Sequence, residues 1–212
     1  MTKKHTLYGS RGSGSAAIEI ALKRCGIAFR IVRAATWEPD SALAQLERVN
    51  PLRQVPTLVL PDATVLSESA AILIHLGLTH PKGRLLPRDS AGRASAIRGL
   101  VFIAANCYAA LGINDRPGRW TTATAKAARE QVRQGARRRL HRNWEIFADL
   151  FEARPYLGGK SPGALDFLAA VVSKWAGTRA HLAETRPKFL ETIQRIEAHE
   201  SVAPVFQAHW GN

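Results

Sequence analysis

The sequence predicts an α/β block of order βαβαββα followed by an all-helical second domain. Three observations predict this. Short apolar runs alternate with helical periodicities as far as residue 80. Pro81-Lys82-Gly83-Arg84-Leu85-Leu86-Pro87 then breaks all periodicity, as a linker does. Beyond it the long stretches carry apolar residues at spacings of three and four. The expected division is 1–80, a linker at 81–88, and a helical domain at 89–212.

The elements follow in order. His5 to Tyr8 reads as a short strand, and Gly9-Ser10-Arg11-Gly12-Ser13-Gly14-Ser15 as a turn. Ala16 to Cys25 has helical spacing, with Ala17, Ile20, Ala21 and Arg24 on one side, and stops at Gly26. Ser15 is the expected N-cap. Ala28 to Val32 is a second strand, and Ser41 to Val49 a helix stopped before Pro51. Thr57 to Leu60 and Thr64 to Leu66 pair as a hairpin across Pro61-Asp62, and Glu68 to Leu78 is the third helix. In the second half Ala91 to Leu111, Thr122 to Ala153, Ala164 to Trp175 and Pro187 to His199 read as helices.

Composition sets outer bounds. A chain of 212 residues, 46% hydrophobic and 22% charged, has the make-up of a folded protein with a real core and not of a disordered one. The longest uncharged stretch, Gly99 to Asn114, spans sixteen residues and includes polar Asn106 and Tyr108, so no membrane helix is expected. The N-terminus lacks the apolar run of a secretory signal, and a cytoplasmic location is the expectation. Cys25 and Cys107 are far apart and fit neither a disulfide framework nor a metal site; no metal is expected.

The net charge of +13 is uneven: residues 116–142 hold nine basic side chains against the single Glu130. Arg129, Arg133 and Arg137 are four apart and share one helical face, joined by Lys126 and flanked by Arg138 and Arg142. A solvated face is the expected reading, since no stacking motif or helix-turn-helix pattern accompanies it; nucleic acid is not expected as a partner.

Two motifs in the first block carry a family resemblance. Asn50-Pro51-Leu52-Arg53-Gln54-Val55-Pro56-Thr57-Leu58, followed by Leu66-Ser67-Glu68-Ser69-Ala70-Ala71-Ile72-Leu73, resembles the glutathione-binding half of the glutathione transferase N-terminal domain, a thioredoxin-like fold. Leu7 to Ser15 is similar to the strand, loop and helix start of bacterial cytosolic, serine-type members, and the helical second half matches the family's plan.

The resemblance implies a cis bond before Pro56, which turns the Val55 amide and carbonyl outward where an extended peptide can pair with them. It implies that Glu68 and Ser69, at a helix start, receive the ammonium and carboxylate of a γ-glutamyl group, and that Gln54, Arg53 or Arg11 meets the opposite carboxylate. By themselves, Ser67 or Ser69 would read as an ordinary helix cap. A hydroxyl at the α-helix start would stabilise the glutathione thiolate. Counting back from Gly26, the family's catalytic Ser position falls on Gly12, and the position that holds Cys in some classes falls on Gly14. Ser13 is the expected substitute, with Ser10 and Ser15 behind it. Tyr108, Trp120 and Trp175 are expected to line a pocket for an apolar co-substrate.

Tyr156 to Phe167 resembles the family's buried helix start, where Ser or Thr three residues before Asp166 forms a reciprocal cap; here Gly163 stands in that place, so a halved cap is expected. The implied activity is a transferase of detoxification type, joining glutathione as co-substrate to a small electrophile, usually as a homodimer and without metal. The alternative is a non-catalytic relative that binds or regulates through its basic helical face.

Overall fold

The computed structural model describes residues 4–211. A mixed sheet of order β2-β1-β3-β4 is built from β1 (His5–Gly9), β2 (Phe29–Arg33), β3 (Thr57–Val59) and β4 (Val65–Leu66). β1 runs parallel to β2 and antiparallel to β3, with Leu7 opposite both Ile31 and Leu58; β3 and β4 form the expected hairpin. The helices of this half are α1 (Ser15–Arg24), α2 (Leu43–Val49) and α3 (Ser69–Thr79). The order βαβαββα is the one predicted, within two residues at each end.

α1 is unlike an ordinary surface helix. Every residue from Ser15 to Leu22 is buried, because the helix packs on α3 and also on α7 (Ala164–Val172), itself buried along its whole length. A helix that is apolar all round needs cover on every side, and the cover comes from the second half of the chain. That half comprises α4 (Ser90–Phe102), a π-helical segment (Ile103–Tyr108), α5 (Ala109–Asp115), α6 (Lys126–Leu150), α7, α8 (Thr178–Thr185), α9 (Pro187–Ala198) and α10 (Ala203–Trp210). One hydrophobic core runs through both halves, from Leu7 and Leu58 to Leu100, Trp144, Phe147 and Phe167. This is the thioredoxin-like half with an all-helical partner that the sequence predicts.

Five sequence expectations are corrected. α1 begins at Ser15, not Ala16, with Gly14 at the cap position, because the Ser15 hydroxyl turns back to the Ser10 carbonyl instead of capping. The helix expected from Thr122 begins at Lys126, and the one expected to reach Trp175 ends at Val172. α8 and α10 carry no clear amphipathic stripe and were not anticipated from periodicity. The run 90–115 is continuous and, among the described residues, is long and apolar enough to cross a membrane; its Leu100, Ile103 and Cys107 are buried in the protein's own core.

The arginine face is also not simply solvated. Arg133 Nε donates to the Asn114 carbonyl at 3.1 Å, and Arg137 Nε to Asn114 Oδ1 at 3.3 Å. Cations at the C-terminal end of α5 meet the negative end of its dipole. Arg133 is further paired with Glu130 at 2.6 Å.

The start of α7 explains the glycine in its cap. The fully buried Asp166 carboxylate accepts from the amides of Leu157 (2.8 Å), Gly158 (2.7 Å) and Gly163 (2.9 Å), so the acidic half of the reciprocal cap is present and glycine cannot supply the other. A Cβ on Gly163 would lie 2.7 Å from the Leu85 carbonyl oxygen, part of the linker backbone. The linker has taken the space a Ser or Thr would need. Burial pushes the Asp166 carboxyl up to about 6 against the opposing pull of the three amides.

Two outcomes are expected. Gly163→Ser should lower the melting temperature: a cap gains about 1 kcal/mol, but forcing the linker backbone aside costs roughly 1–3 kcal/mol. A raised melting temperature would refute the clash. For Asp166, a folded-state value above the ordinary one means stability is present at low pH and lost as pH rises. The unfolding free energy of the wild type should therefore fall relative to Asp166→Asn as pH climbs from 3.8 to about 6, and the two should run parallel above it. A difference constant across that window would show that Asp166 does not titrate there.

Candidate functional site

A cleft of about 650 Å³ opens between the two halves. One wall is the loop Leu52-Arg53-Gln54-Val55-Pro56, and a second is the start of α3, Ser67-Glu68-Ser69-Ala70. The third comes from the helical half: Ala104, Tyr108, Leu111 and Gly112 on the π segment and α5, with Trp120 beyond them.

The loop is shaped by Asn50, a residue the sequence reading quoted without giving it a role. Its Nδ2 donates to Thr57 Oγ1 at 2.9 Å and to the Gln54 carbonyl at 3.3 Å, and its Oδ1 accepts from the Leu52 amide at 3.1 Å. One buried side chain thereby fixes both ends of the turn. Arg53 adopts a positive φ of 53°, and the Val55–Pro56 bond is cis. The Gln54 and Arg53 side chains are exposed at the cleft.

At the second wall Glu68 has φ 64° and ψ 113°, outside the ordinary region for a residue with a Cβ. Such a conformation costs roughly 1–3 kcal/mol and persists where the surroundings over-determine it, commonly at functional sites. α3 begins directly after it with no side-chain cap, so neither Ser67 nor Ser69 plays the ordinary capping role. First-turn amides and the positive end of the dipole are left for an anion.

The three serines lie elsewhere. Ser10, Ser13 and Ser15 are buried, and none lines the cleft. The Ser13 hydroxyl is 2.7 Å from the Ser10 carbonyl and 2.8 Å from the Ser15 hydroxyl, while the Ser10 hydroxyl donates to Glu38. These bonds tie the turn to itself. Arg11 points away from the cleft, and its guanidinium donates to the Gly211 carbonyl at 2.5 Å. Beside it the Gly12 amide donates to His209 Nδ1 at 3.2 Å, and His209 Nε2 meets Glu19 at 3.1 Å. The C-terminal helix thus clamps the turn from outside.

Of the three aromatics, Tyr108 and Trp120 line the cleft. Trp175 does not; it packs behind Tyr108 with ring centroids 6.1 Å apart. Trp37, not singled out from the sequence, faces the cleft and is 58% exposed, and Trp120 is 61% exposed. Arg116 and Arg119 stand at the rim, with Arg116 bonded to Thr36 at 2.9 Å across the two halves. Burial raises both cysteine thiols, at Cys25 and Cys107, so both remain protonated. Among the described residues no cluster of His, Cys, Asp and Glu suited to a metal ion occurs.

With this geometry in view, the relatives become informative. Residues 15–78 match the family model described as glutathione S-transferase, N-terminal domain. An uncharacterised GST-like protein, YncG, of Escherichia coli K12 is 29% identical over 175 residues, covering 80% of each chain. Among solved structures, a glutathione transferase homologue from Sulfitobacter with bound glutathione superposes at a TM-score of 0.81, with 25% identity over 96% of this chain and 97% of that one. A ternary complex of BphK, a bacterial GST, gives 0.79 and 26% over 96% and 98%. Residues 15–78 therefore carry a glutathione S-transferase N-terminal domain, and the fold of the whole chain is that of these transferases.

Asn50→Ala would remove three hydrogen bonds and leave Thr57 and Leu52 short of partners. A loss of about 2 kcal/mol in unfolding free energy is expected, together with faster amide exchange confined to residues 50–57. Exchange unchanged in that loop would mean that Asn50 does not hold it.

Proposed function

We propose that this protein is a glutathione transferase that binds reduced glutathione in the cleft and joins its sulfur to a small, mostly apolar electrophile. The observation that carries the reading is the convergence on one cleft of the Gln54-Val55 loop edge and the uncapped start of α3 at Glu68-Ser69. Its volume of about 650 Å³ lies in the range of ordinary small-ligand sites. In this reading the α3 amides and Ser69 receive the γ-glutamyl carboxylate, Glu68 accepts from its ammonium, and Val55 pairs with the peptide backbone. Gln54 and Arg53 meet the glycine carboxylate, while Ser10, Ser13 and Ser15 hold the turn beneath the sulfur. Trp37, Leu52, Leu111 and Trp120 offer the electrophile an apolar face.

Activation of the sulfur requires loss of its proton, since the thiolate is the nucleophile. The N-terminus of α1, close under Pro56, favours that negative charge. The thiolate then forms a C–S bond while the electrophile's leaving group departs with its electron pair. The domain division at 81–88 is part of the same proposal, supported by the short 3₁₀ turn Pro81–Gly83. A cytoplasmic homodimer engaged in detoxification is the setting it implies. In the non-catalytic alternative the docking face would rest mainly on the exposed Lys126, Arg129 and Arg138, since Arg133 and Arg137 bond to Asn114 and Glu130.

Calorimetric titration with reduced glutathione tests the reading. Glu68→Gln should weaken binding about tenfold to a hundredfold, since a hydrogen bond to a charged group is worth about 1.5–3 kcal/mol. A glutathione analogue lacking the α-amino group should bind wild type and variant alike. Absence of binding to the wild type at millimolar glutathione would end the proposal.

A further inference from the structure

The serine hydroxyls of the turn are bonded within it or to Glu38, and a different hydroxyl stands at the N-terminus of α1. A Cβ built on Gly14, at the α1 N-terminus, would overlap the Tyr108 hydroxyl, and Pro56 Cδ is 3.5 Å from the same point. Gly14 has an ordinary helical φ of −59°, so the glycine serves the close approach of Tyr108 and not an unusual backbone. Tyr108 is the last residue of the π-helical segment Ile103–Tyr108. Wider turns of this kind are frequent at functional sites. Here the phenol is carried from the helical half onto the turn of the other half. Ser69 and Glu68, at the proposed γ-glutamyl end of the cleft, line the same opening beside it.

We propose that the Tyr108 hydroxyl, and not a serine of the turn, donates the hydrogen bond that stabilises the glutathione thiolate. The inference rests on the glutathione reading above. The thiol proton passes to water, the sulfur keeps its electron pair, and the phenol retains its own proton while donating to the sulfur. The thiolate afterwards spends that pair on the bond to the electrophilic carbon.

Two features suit Tyr108 to the task. Burial, with the Glu68 carboxylate adding to it, pushes the phenol's ionisation well above its ordinary value, so it stays a neutral donor at every pH at which the protein would work. Its ring is also braced by Trp175 behind it. The serine hydroxyls are instead engaged with the Ser10 carbonyl, with each other or with Glu38.

The test is the ultraviolet thiolate absorbance of bound glutathione as pH is varied, for wild type, Tyr108→Phe, Ser13→Ala and Gly14→Ala, with glutathione affinity measured on the same samples. Tyr108→Phe should bind glutathione within about threefold of wild type while the bound thiol pKa rises by about one to two units. Ser13→Ala should leave that pKa in place. Gly14→Ala, which keeps the hydroxyl but pushes it off the turn, should raise it part of the way, and it decides the matter if Tyr108→Phe fails to fold. An unchanged thiol pKa in Tyr108→Phe with glutathione still bound would overturn the proposal, as would a wild type that binds glutathione without lowering its thiol pKa. Failure of the wild type to bind glutathione at all would instead remove the reading beneath it.

Discussion

The burial of α1 on all sides is the constraint on which the rest of the molecule depends. Ser15 to Leu22 present no polar face to solvent, so the helix is stable only between the sheet with α3 on one side and α7 with α10 on the other. Each fully buried Leu or Ile contributes roughly 1.5–3 kcal/mol relative to exposure, and Ile18, Ile20 and Leu22 each lie in contact with one shared core. The two halves are therefore one packing unit, and the N-terminus of α1 is placed at the seam between them. A cleft at that seam can draw on both halves, which is why Pro56 and Tyr108 approach the same glycine.

Rigid support under the cleft follows from the same arrangement. The Gly9–Ser15 turn is closed from within by serine hydroxyls and from outside by the C-terminal segment, where His209 accepts from the Gly12 amide and the Gly211 carbonyl from Arg11. Glu19 ties these layers together. Burial alone would raise its carboxyl, yet hydrogen bonds from His209 and Lys23 overcome that and hold it below the usual value. The charge on α1 is thus compensated beneath the turn, and the dipole at its other end remains directed at the cleft. Polar groups near the seam are mostly spent on architecture: Asn50 on its loop, Asp166 on the start of α7, Arg133 and Arg137 on the end of α5. Those facing the opening include Gln54, Arg53, Glu68, Ser69 and Tyr108 with the rim arginines.

Much of this was legible along the chain. Period-two runs, glycine stops and the Pro-rich break place the βαβαββα block and the helical half, because these signals are local. The Asn50–Leu58 and Leu66–Leu73 motifs likewise mark two walls of the cleft, since each wall is one continuous stretch. Helices α8 and α10 escaped because each is only eight residues long with a weak apolar stripe, and packing rather than periodicity stabilises them.

The sequence by itself determined the element order, the family resemblance and the two segments that form the near side of the cleft, all properties carried by neighbouring residues. Tertiary structure alone decided which hydroxyl stands at the N-terminus of α1 beside the cleft. Ser10, Ser13 and Ser15 look available in a glycine-rich turn, but the turn folds their oxygens inward to satisfy its own buried backbone. Tyr108 lies over ninety residues away and reaches Gly14 only because the π segment rotates it and α1 is sandwiched at the seam. The same holds for the arginine helix and for Gly163: one face reads as solvated until Asn114 is placed under it, and the glycine reads as a lost cap until the Leu85 carbonyl fills its space. Contacts between distant segments have no period and no spacing, so they become visible only when the core has brought those segments together.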